Sequence, residues 1–461
     1  MMIMKMHVIP SERSESTNLR SSCGPFAQHA SGHLRCAATL GMTLLVAMSS
    51  SAPAQTIAIV GGRVLPVSGP AIDNGTVLIR DGKIAAVGAN VAVPAGAERV
   101  DARGKVVTPG LIDAATELGL EEIGAVQTTD DYNARGRDSV YSAFKVWEGF
   151  NPASVLVPAA RQGGVTTVLV GPRGGLVSGQ AAMIELVVGA QDARAMVLHG
   201  PAAMFAYYGP GEGVGVRSRG DLLNKLRALI ADTRWYAAHR AEYDRGATRP
   251  LAASAADLEA MLPVVDGREP LVVAADKASD ILTMLDFANQ NNIKLIIAGA
   301  TEGWEVAGQL AAAHAGVLTG AMNNIPHSFA QLGARQDNVA LLRKAGVPVA
   351  IIGNAGGGDE EAFNVRNIRY EAGNAVAYGA SWDDALRSIT LTPAELFGVA
   401  ERVGSLSVGK DADVVIWTGD PFEFASEPEH VYVRGKEDTT PTRQDLLEQR
   451  YKNLPPNYRR P

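Results

Sequence analysis

Residues 271–297 read LVVAADKASDILTMLDFANQNNIKLII and contain one complete strand–helix–strand unit. The run from Leu271 to Ala275 is a short apolar segment typical of a buried strand, and Ile293 to Ile297 is another. Between them, Ile281 to Gln290 has the apolar spacing of a helix that covers one face of a sheet. Two strands joined by a helix predict a parallel pair, because a parallel connection needs a crossover of about a dozen residues.

The same alternation of strands and helices continues on both sides of this unit. Its spacing, roughly twenty to thirty residues per repeat, favours a (β/α)8 TIM barrel. An open doubly wound sheet is the alternative, but no Gly-x-Gly-x-x-Gly turn follows the first strand. The stretch Leu222 to Tyr243 is predicted to be an outer helix or an insertion. The remaining predicted elements are strands Gly164 to Val170, Gly316 to Leu318 and Val347 to Ile352, and helices Glu305 to Ala313 and Asn338 to Ala345.

Both flanks of the barrel segment contain strands without helices. Asp81-Gly82 is a hairpin signal between two of these strands. Strands near both chain ends predict one small composite β-sandwich domain beside the α/β barrel. The predicted strands are Thr56 to Val60, Thr76 to Ile79, Ile84 to Val87, Ala412 to Trp417 and His430 to Val433. The predicted domains are a leader at 1–54, the β domain at 55–107 and 401–440, the barrel at 108–400 and a C-terminal tail at 441–461.

The first residues have the pattern of an export signal. Arg35 precedes an apolar run from Ala37 to Met48, and small residues follow it up to Ala54. This order predicts a secretory signal peptide cleaved after Ala54, and hence a periplasmic or secreted protein. A disordered tail on a cytoplasmic protein is the alternative. Both cysteines, Cys23 and Cys36, would be removed with the signal, which leaves no disulfide and no thiolate site in the mature chain.

Charge and hydropathy exclude several partner classes. The formal net charge of the 461 residues is -7, whereas nucleic acids and anionic membranes attract basic surfaces. No apolar run reaches the roughly 18 residues of a membrane-spanning helix. We therefore expect a small-molecule ligand, no nucleic acid and no membrane span; the sequence leaves the oligomeric state open.

Three segments resemble the amidohydrolase superfamily, and most closely its imidazolonepropionase and prolidase-like branch. Val107 to Asp113 (VTPGLID) resembles the entry into the first barrel strand. Gly404 to Asp413 (GSLSVGKDAD) resembles the return into the β domain. Gly75 to Gly88, with DGKIAAVG at its centre, resembles the opening hairpin. The resemblance covers nearly the whole mature chain and implies a barrel with a composite β domain.

The resemblance also implies a metal-dependent hydrolase. Members of this superfamily hold one or two divalent metals at the carboxyl ends of barrel strands. The metal lowers the pKa of a bound water, and the resulting hydroxide attacks a carbonyl or imine carbon. Imidazoles and carboxylates, the usual ligands, suit zinc and similar ions.

Most ligand positions of the family hold other residues in this sequence. Where the first strand should carry His-x-His, the chain has Ala115 and Glu117. The counterpart of the fourth strand, Ala195 to His199, contains no lysine. The sixth strand has Gly299 in place of histidine, and the eighth has Asn354 in place of aspartate. Asparagine is neutral and cannot take a proton from water.

These replacements predict a degenerate metal site. No metal ligand is assigned, and a zinc-type divalent metal is expected only if the ancestral activity persists. The catalytic candidates are Glu117, His199 and Asn354. Two glycine-rich loops, 171–180 and 353–361, are predicted to border the barrel mouth. The substrate-binding candidates are Arg173, Ser178, Gln180, Asp276, Glu302 and Asp359.

Two functions remain open from the sequence. In the first, the protein has impaired or absent metal-dependent hydrolysis and uses the barrel mouth to bind a ligand or to support an active paralogue. In the second, it is an active hydrolase of a small cyclic amide or dipeptide-like substrate. The second function would use carboxylates such as Glu117, Asp276, Glu302 and Asp359 to hold a hard ion. A structural alternative assigns Asp276 and Glu302 to charge pairs that hold the barrel rim.

Overall fold

The computed structural model of the chain describes residues 55–134, 139–209, 218–322, 326, 328–353 and 362–452. The predicted leader at 1–54 and the candidates Asn354 and Asp359 lie outside the described residues. The strands are β1 (Thr56–Val64), β2 (Ile72–Arg80), β3 (Lys83–Gly88), β4 (Glu98–Asp101), β5 (Val106–Pro109), β6 (Leu111–Thr116), β7 (Val165–Val170), β8 (Val177–Glu185), β9 (Val197–Tyr207), β10 (Leu271–Ala275), β11 (Leu295–Gly299), β12 (Gly316–Thr319), β13 (Val349–Ile351), β14 (Val414–Trp417), β15 (Pro428–Val433) and β16 (Lys436–Glu437).

The helices follow the strands of the middle segment. The α-helices are α1 (Leu156–Gln162), α2 (Arg219–Ala238), α3 (Arg240–Asp244), α4 (Ala255–Val265), α5 (Ala278–Asn291), α6 (Ala307–Ala312), α7 (Asn338–Lys344), α8 (Ile368–Ala377), α9 (Trp382–Ser388), α10 (Leu391–Leu396) and α11 (Arg443–Lys452). Short 3-10 helices lie at Gln127–Thr129, Val146–Gly149, Ala193–Ala195, Gly303–Val306, Phe329–Gln331 and Val365–Asn367. Among the described residues, every helix is too short or too polar to span a bilayer.

One sheet joins strands from both flanks of the barrel. Its order is β16-β15-β14-β5-β1-β2-β3, and β4 also pairs with β1. The join between the flanks is the antiparallel pair of β5 and β14, in which Thr108 lies opposite Val415. Buried side chains from both flanks, among them Ile79 and Tyr432, share one hydrophobic cluster. The prediction of a composite β domain built from both flanks is therefore confirmed.

The second sheet is a nearly closed, eight-stranded barrel. Its order is β13-β12-β11-β10-β9-β8-β7-β6. Side chains alternate between two layers, as the two-residue period of a strand requires. Val272 and Ile296 belong to the cluster inside the barrel, whereas Val273 and Ile297 belong to the cluster that includes the outer helices. This arrangement confirms the predicted barrel class.

The third strand of the barrel departs from the regular repeat. β8 runs antiparallel to both β7 and β9, and the other neighbouring strands are parallel. No described helix lies between β7 and β8. The predicted glycine-rich loop at 171–180 is therefore too long, because β8 already begins at Val177. Six residues connect β7 and β8, which suits an antiparallel turn and is too short for a parallel crossover.

The predicted end of the fourth strand is also wrong. The predicted strand ends at His199, but β9 continues to Tyr207. Proline is tolerated where one side of a strand has no ladder partner. Pro201 lies before Met204, the first residue of β9 that pairs with β10. His199 therefore lies near the amino end of its strand and not at its carboxyl end.

Candidate functional site

The barrel mouth, defined here as the carboxyl end of the parallel strands, is the usual location of function in this architecture. Glu117 follows β6 at this end and is only 5% exposed. The Arg173 guanidinium, from the loop after β7, donates a hydrogen bond to the Glu117 carboxylate. Burial raises the pKa of Glu117, and the charge of Arg173 partly offsets that rise. The structure thus brings together two predicted site residues as an ion pair.

Asp276 is the polar side chain that directly follows β10. Its Oδ1 accepts a hydrogen bond of 2.6 Å from the Thr301 hydroxyl, and its Oδ2 accepts one of 3.3 Å from the Gln331 amide. Burial raises the pKa of Asp276 above its usual value. Burial together with the Asp276 charge raises the pKa of Tyr207, which ends β9. Asp276 and Tyr207 therefore form a second polar group at the mouth.

Gly299 lies at the position where the family pattern described above has a histidine. Its φ angle is +85°, a conformation that favours glycine. A Cβ atom on Gly299 would lie 2.6 Å from Oδ1 of Asp276. The Asp276 carboxylate therefore occupies the space into which a side chain at position 299 would project.

Glu302 follows β11 and has a local structural partner. Its Oε2 accepts a hydrogen bond of 3.0 Å from the backbone N–H of Ala278, the first residue of α5. A carboxylate at a helix amino end satisfies a free N–H group and complements the helix dipole. This contact is with a backbone N–H and not with a charged side chain, so it is not the charge pair of the structural alternative; the predicted role of Glu302 in substrate binding stays a prediction.

Ser178 and Gln180 lie in β8 and are buried, at 4% and 5% exposure. The Gln180 amide donates a hydrogen bond of 2.8 Å to the backbone oxygen of Ser142. Isolated β-bridges from Val140 to Val177 and from Lys145 to Gln180 continue this contact along the start of β8. Gln180 therefore holds the neighbouring segment, and the structure does not place it in contact with Glu117 or Asp276.

The described histidines of the barrel segment lie away from the mouth. His199 is exposed near the start of β9. His239 stacks on Trp235 at the end of α2, with ring centroids 4.6 Å apart. His314 directly precedes the residues that lead into β12. The predicted catalytic position of His199 at the mouth is therefore wrong, because the strand continues eight residues beyond it to Tyr207.

Sequence reasoning missed several residues that surround the mouth. Asp113 is 1% exposed, and its Oδ2 lacks a hydrogen-bond partner among the described residues. Burial raises the pKa of Asp113 well above its usual value. Glu371 on α8 accepts hydrogen bonds of 2.8 and 3.1 Å from the backbone of Ala321 and Met322 after β12. The position of Asp113 in VTPGLID was a signal; Glu371 and Gln331 had none, since loops and outer helices bring them in.

Comparisons with known proteins agree with this architecture. The amidohydrolase family profile matches residues 272–437. An imidazolonepropionase from Mesorhizobium japonicum is 25% identical over 368 residues, which are 75% of this chain and 87% of that protein. The amidohydrolase tasK from Hapsidospora irregularis is 22% identical over 74% of this chain, which spans 37% of the length of tasK. The structure of an amidohydrolase from Thermotoga maritima has a TM-score of 0.74 and 27% identity, and the match covers 83% of this chain and 99% of that one.

The chain resembles the amidohydrolase superfamily in sequence and in fold, and the family profile matches part of the barrel segment and the second half of the composite sheet. The amidohydrolase family generally uses a divalent metal. The donors of this chain must therefore be compared with what such an ion requires.

Within the described ranges, no three His, Cys, Asp or Glu side chains are grouped to hold a metal ion. A transition metal needs about three protein ligands. Glu117 is paired with Arg173, Asp276 is bonded to Thr301 and Gln331, and Glu302 caps α5. These donors do not fit such an ion as they stand.

Proposed function

We propose that this protein binds a small cyclic amide or dipeptide-like molecule at the barrel mouth and has little or no metal-dependent hydrolysis. The similarity to amidohydrolases supports the ligand class, since carbon–nitrogen compounds are the substrates that the sequence resemblance implies. The degenerate ligand positions support the loss of metal chemistry.

One observation carries the proposal. The Asp276 carboxylate fills the space beside Gly299, where the family pattern would place a histidine. Restoring a side chain at position 299 would require Asp276 to leave its hydrogen bonds with Thr301 and Gln331. The mouth is therefore built around internal polar contacts, which suit the recognition of N–H and C=O groups on a ligand.

The alternative is an active hydrolase that uses a carboxylate site. The relatives named imidazolonepropionase and amidohydrolase favour it. In this alternative, Glu117 would release Arg173 and hold a hard ion with other oxygen donors. The two functions differ in whether a chelator changes turnover.

Calorimetric titration and turnover assays with hydantoin, dihydrouracil and a glycyl-proline dipeptide test the proposal. We expect at least one compound to bind with an affinity that a chelator leaves unchanged, and no turnover with added zinc or manganese. Asp276→Asn should weaken that binding at least tenfold. Asp244→Asn, an exposed position on α3, is the matched control and should leave it unchanged.

Each other outcome decides against the proposal. Turnover that a chelator abolishes would establish the active hydrolase instead. Failure of every compound to bind would reject the proposed ligand class. If the Asp276→Asn protein bound the compound as tightly as the wild-type protein, the ligand would not bind at the barrel mouth.

We further propose that the protein is exported to the periplasm or secreted and that an active paralogue is a partner there. The basic, apolar and small-residue order at 35–54 supports export. Sequencing the amino terminus of the purified protein from its native host tests this. A terminus at Gln55 is the expected result, and an intact leader in the cytoplasmic fraction would contradict it.

A further inference from the structure

The end of the barrel opposite the mouth contains a cavity of about 1070 Å³. The residues that lead into β10, β11 and β12 line it, among them Pro270, Lys294 and Ala315. Apolar side chains such as Leu285 and Phe397 form part of its wall. The cavity is therefore separate from the mouth, at the amino ends of the same strands.

Glu269 is a buried carboxyl group in the wall of this cavity. It is 5% exposed, and its Oε1 has no hydrogen-bond partner among the described residues. An ionised carboxylate without a partner is costly to bury. Burial accordingly raises the pKa of Glu269 to about 7. Above pH 7 the cavity wall thus holds a buried carboxylate whose Oε1 has no hydrogen-bond partner among the described residues.

Two helices direct their carboxyl ends at the same cavity. Helix α4 ends at Val265, and α5 ends at Asn291; Gly267 and Asn292, just beyond these ends, line the cavity. The carboxyl end of a helix carries partial negative charge and favours cations. The two helix ends and Glu269 therefore produce negative potential from separate elements of the fold.

The other charged groups of the wall offset that potential only in part. Arg268, which is paired with Asp266 at 3.0 Å, lowers the pKa of Glu269 through its charge, but burial has the larger effect; Glu395 is paired with Arg387 at 2.6 Å. Lys294 is exposed, so water screens its charge. His199 and His314 complete the titratable groups that line the cavity.

We propose that this cavity binds a small organic cation, an amine or amidine attached to an apolar body, with the cationic group on Glu269. The apolar body would contact Leu285 and Phe397. His199, which the sequence placed at the mouth, would border this second site. The proposal does not depend on the function of the mouth, because none of its residues belongs to the site around Asp276.

Titration calorimetry with benzamidine tests the proposal, with benzyl alcohol as the neutral probe of similar shape. We expect saturable binding of benzamidine to the full chain and at least tenfold weaker binding of benzyl alcohol. Glu269→Gln should weaken benzamidine binding at least tenfold, and it preserves side-chain size while removing a buried charge. Glu259→Gln, on the exposed side of α4 at an ion pair with Arg240, is the matched control.

The affinity of the wild-type protein should also fall as the pH is lowered from 8 to 6, because Glu269 then becomes protonated. Any contribution from His199 and His314 remains in the Glu269→Gln protein, so the difference between the two proteins isolates Glu269.

The inference would be overturned by equal binding of the neutral probe, by unchanged affinity of the Glu269→Gln protein, or by no binding of benzamidine at all. Asp276→Asn should leave benzamidine binding unchanged. Loss of binding in that variant would assign the cation to the mouth and also overturn the inference.

Discussion

Glu117 is nearly inaccessible to solvent and bonded to Arg173, so an ion at this position would have to displace a guanidinium. Replacing Arg173 with methionine would leave the Glu117 carboxylate buried beside fewer donors. We expect Arg173→Met to lower the free energy of unfolding by about 2 kcal/mol. The value lies below the roughly 3–5 kcal/mol typical of broken buried pairs because the Arg173 side chain is 41% exposed.

The double variant Glu117→Gln, Arg173→Met should recover most of this loss, since it removes the charge that lacks a partner. Urea unfolding of the two single variants, the double variant and the wild-type protein gives the coupling. Simple addition of the two single effects would show that the pair is not coupled.

The pKa of Glu269 predicts how stability depends on pH. Burial raises it from 4.5 to about 7, so the group favours the folded state when protonated. That stability is fully present below pH 4.5 and is lost as the pH rises through 7. Between these limits the free energy of unfolding of the wild-type protein should fall by about 3 kcal/mol relative to that of the Glu269→Gln protein. Urea unfolding at pH 4.5 and pH 8 measures the difference, and parallel pH profiles of the two proteins would contradict it.

At the scale of elements, the turn between β5 and β6 depends on Gly110. A Cβ atom there would lie 2.1 Å from the Thr166 hydroxyl oxygen and 2.7 Å from its Cβ. We expect Gly110→Ala to lower the free energy of unfolding by about 2–3 kcal/mol, because a rigid strand residue of β7 must move. Gly96→Ala is the control, since no heavy atom lies within 4 Å of its added Cβ. Equal stability of the two variants in thermal unfolding would refute this view of the turn.

The sequence predicts elements well where periodicity alone determines them. Helix α5 and strands β10 and β11 lie within a few residues of their predicted bounds, because each has a clear apolar pattern between turn residues. Strand β8 was not predicted, because its first residues were assigned to a glycine-rich loop, and its antiparallel direction could not come from periodicity, which does not encode pairing. The short link from Val170 to Val177 was the available signal, since it excludes a parallel crossover.

The candidate site was only partly predictable for a related reason. Strand ends correctly located Glu117 and Asp276, because side chains after parallel strands meet at one edge of the barrel. His199 was misplaced because its strand was taken to end there, whereas β9 continues to Tyr207. Gln331 comes from a loop, and its bond with Asp276 depends on tertiary folding that no local pattern encodes.

At the scale of the whole molecule, a buried ionic cluster connects the barrel to the composite sheet. Glu185 on β8 is fully buried and accepts hydrogen bonds of 2.8 and 2.5 Å from Arg434, which follows β15. Arg402 lies 3.6 Å from the same carboxylate and bonds to Asp411. The two sheets are therefore joined by an ionic cluster in which the Glu185 side chain is inaccessible to water.

Removing Arg434 should weaken this connection. We expect Arg434→Met to lower the free energy of unfolding by about 3 kcal/mol, because Glu185 would keep a buried charge with a poorer partner. Arg103→Met is the control; its ion pair with Asp101 is exposed, so its loss should change the free energy of unfolding little. A loss in Arg434→Met no larger than that of the control in urea unfolding would be inconsistent with a structural role for the cluster.

The claim that the mouth is committed to internal contacts rather than to a metal is tested most directly by metal analysis of the whole protein. The chain is expressed with excess zinc and manganese, desalted and measured by plasma mass spectrometry, beside the double variant Glu117→Gln, Asp276→Asn. We predict far less than one equivalent of either metal in the wild-type protein, and no difference from the variant. Close to one equivalent in the wild-type protein, lost in the variant, would contradict the account.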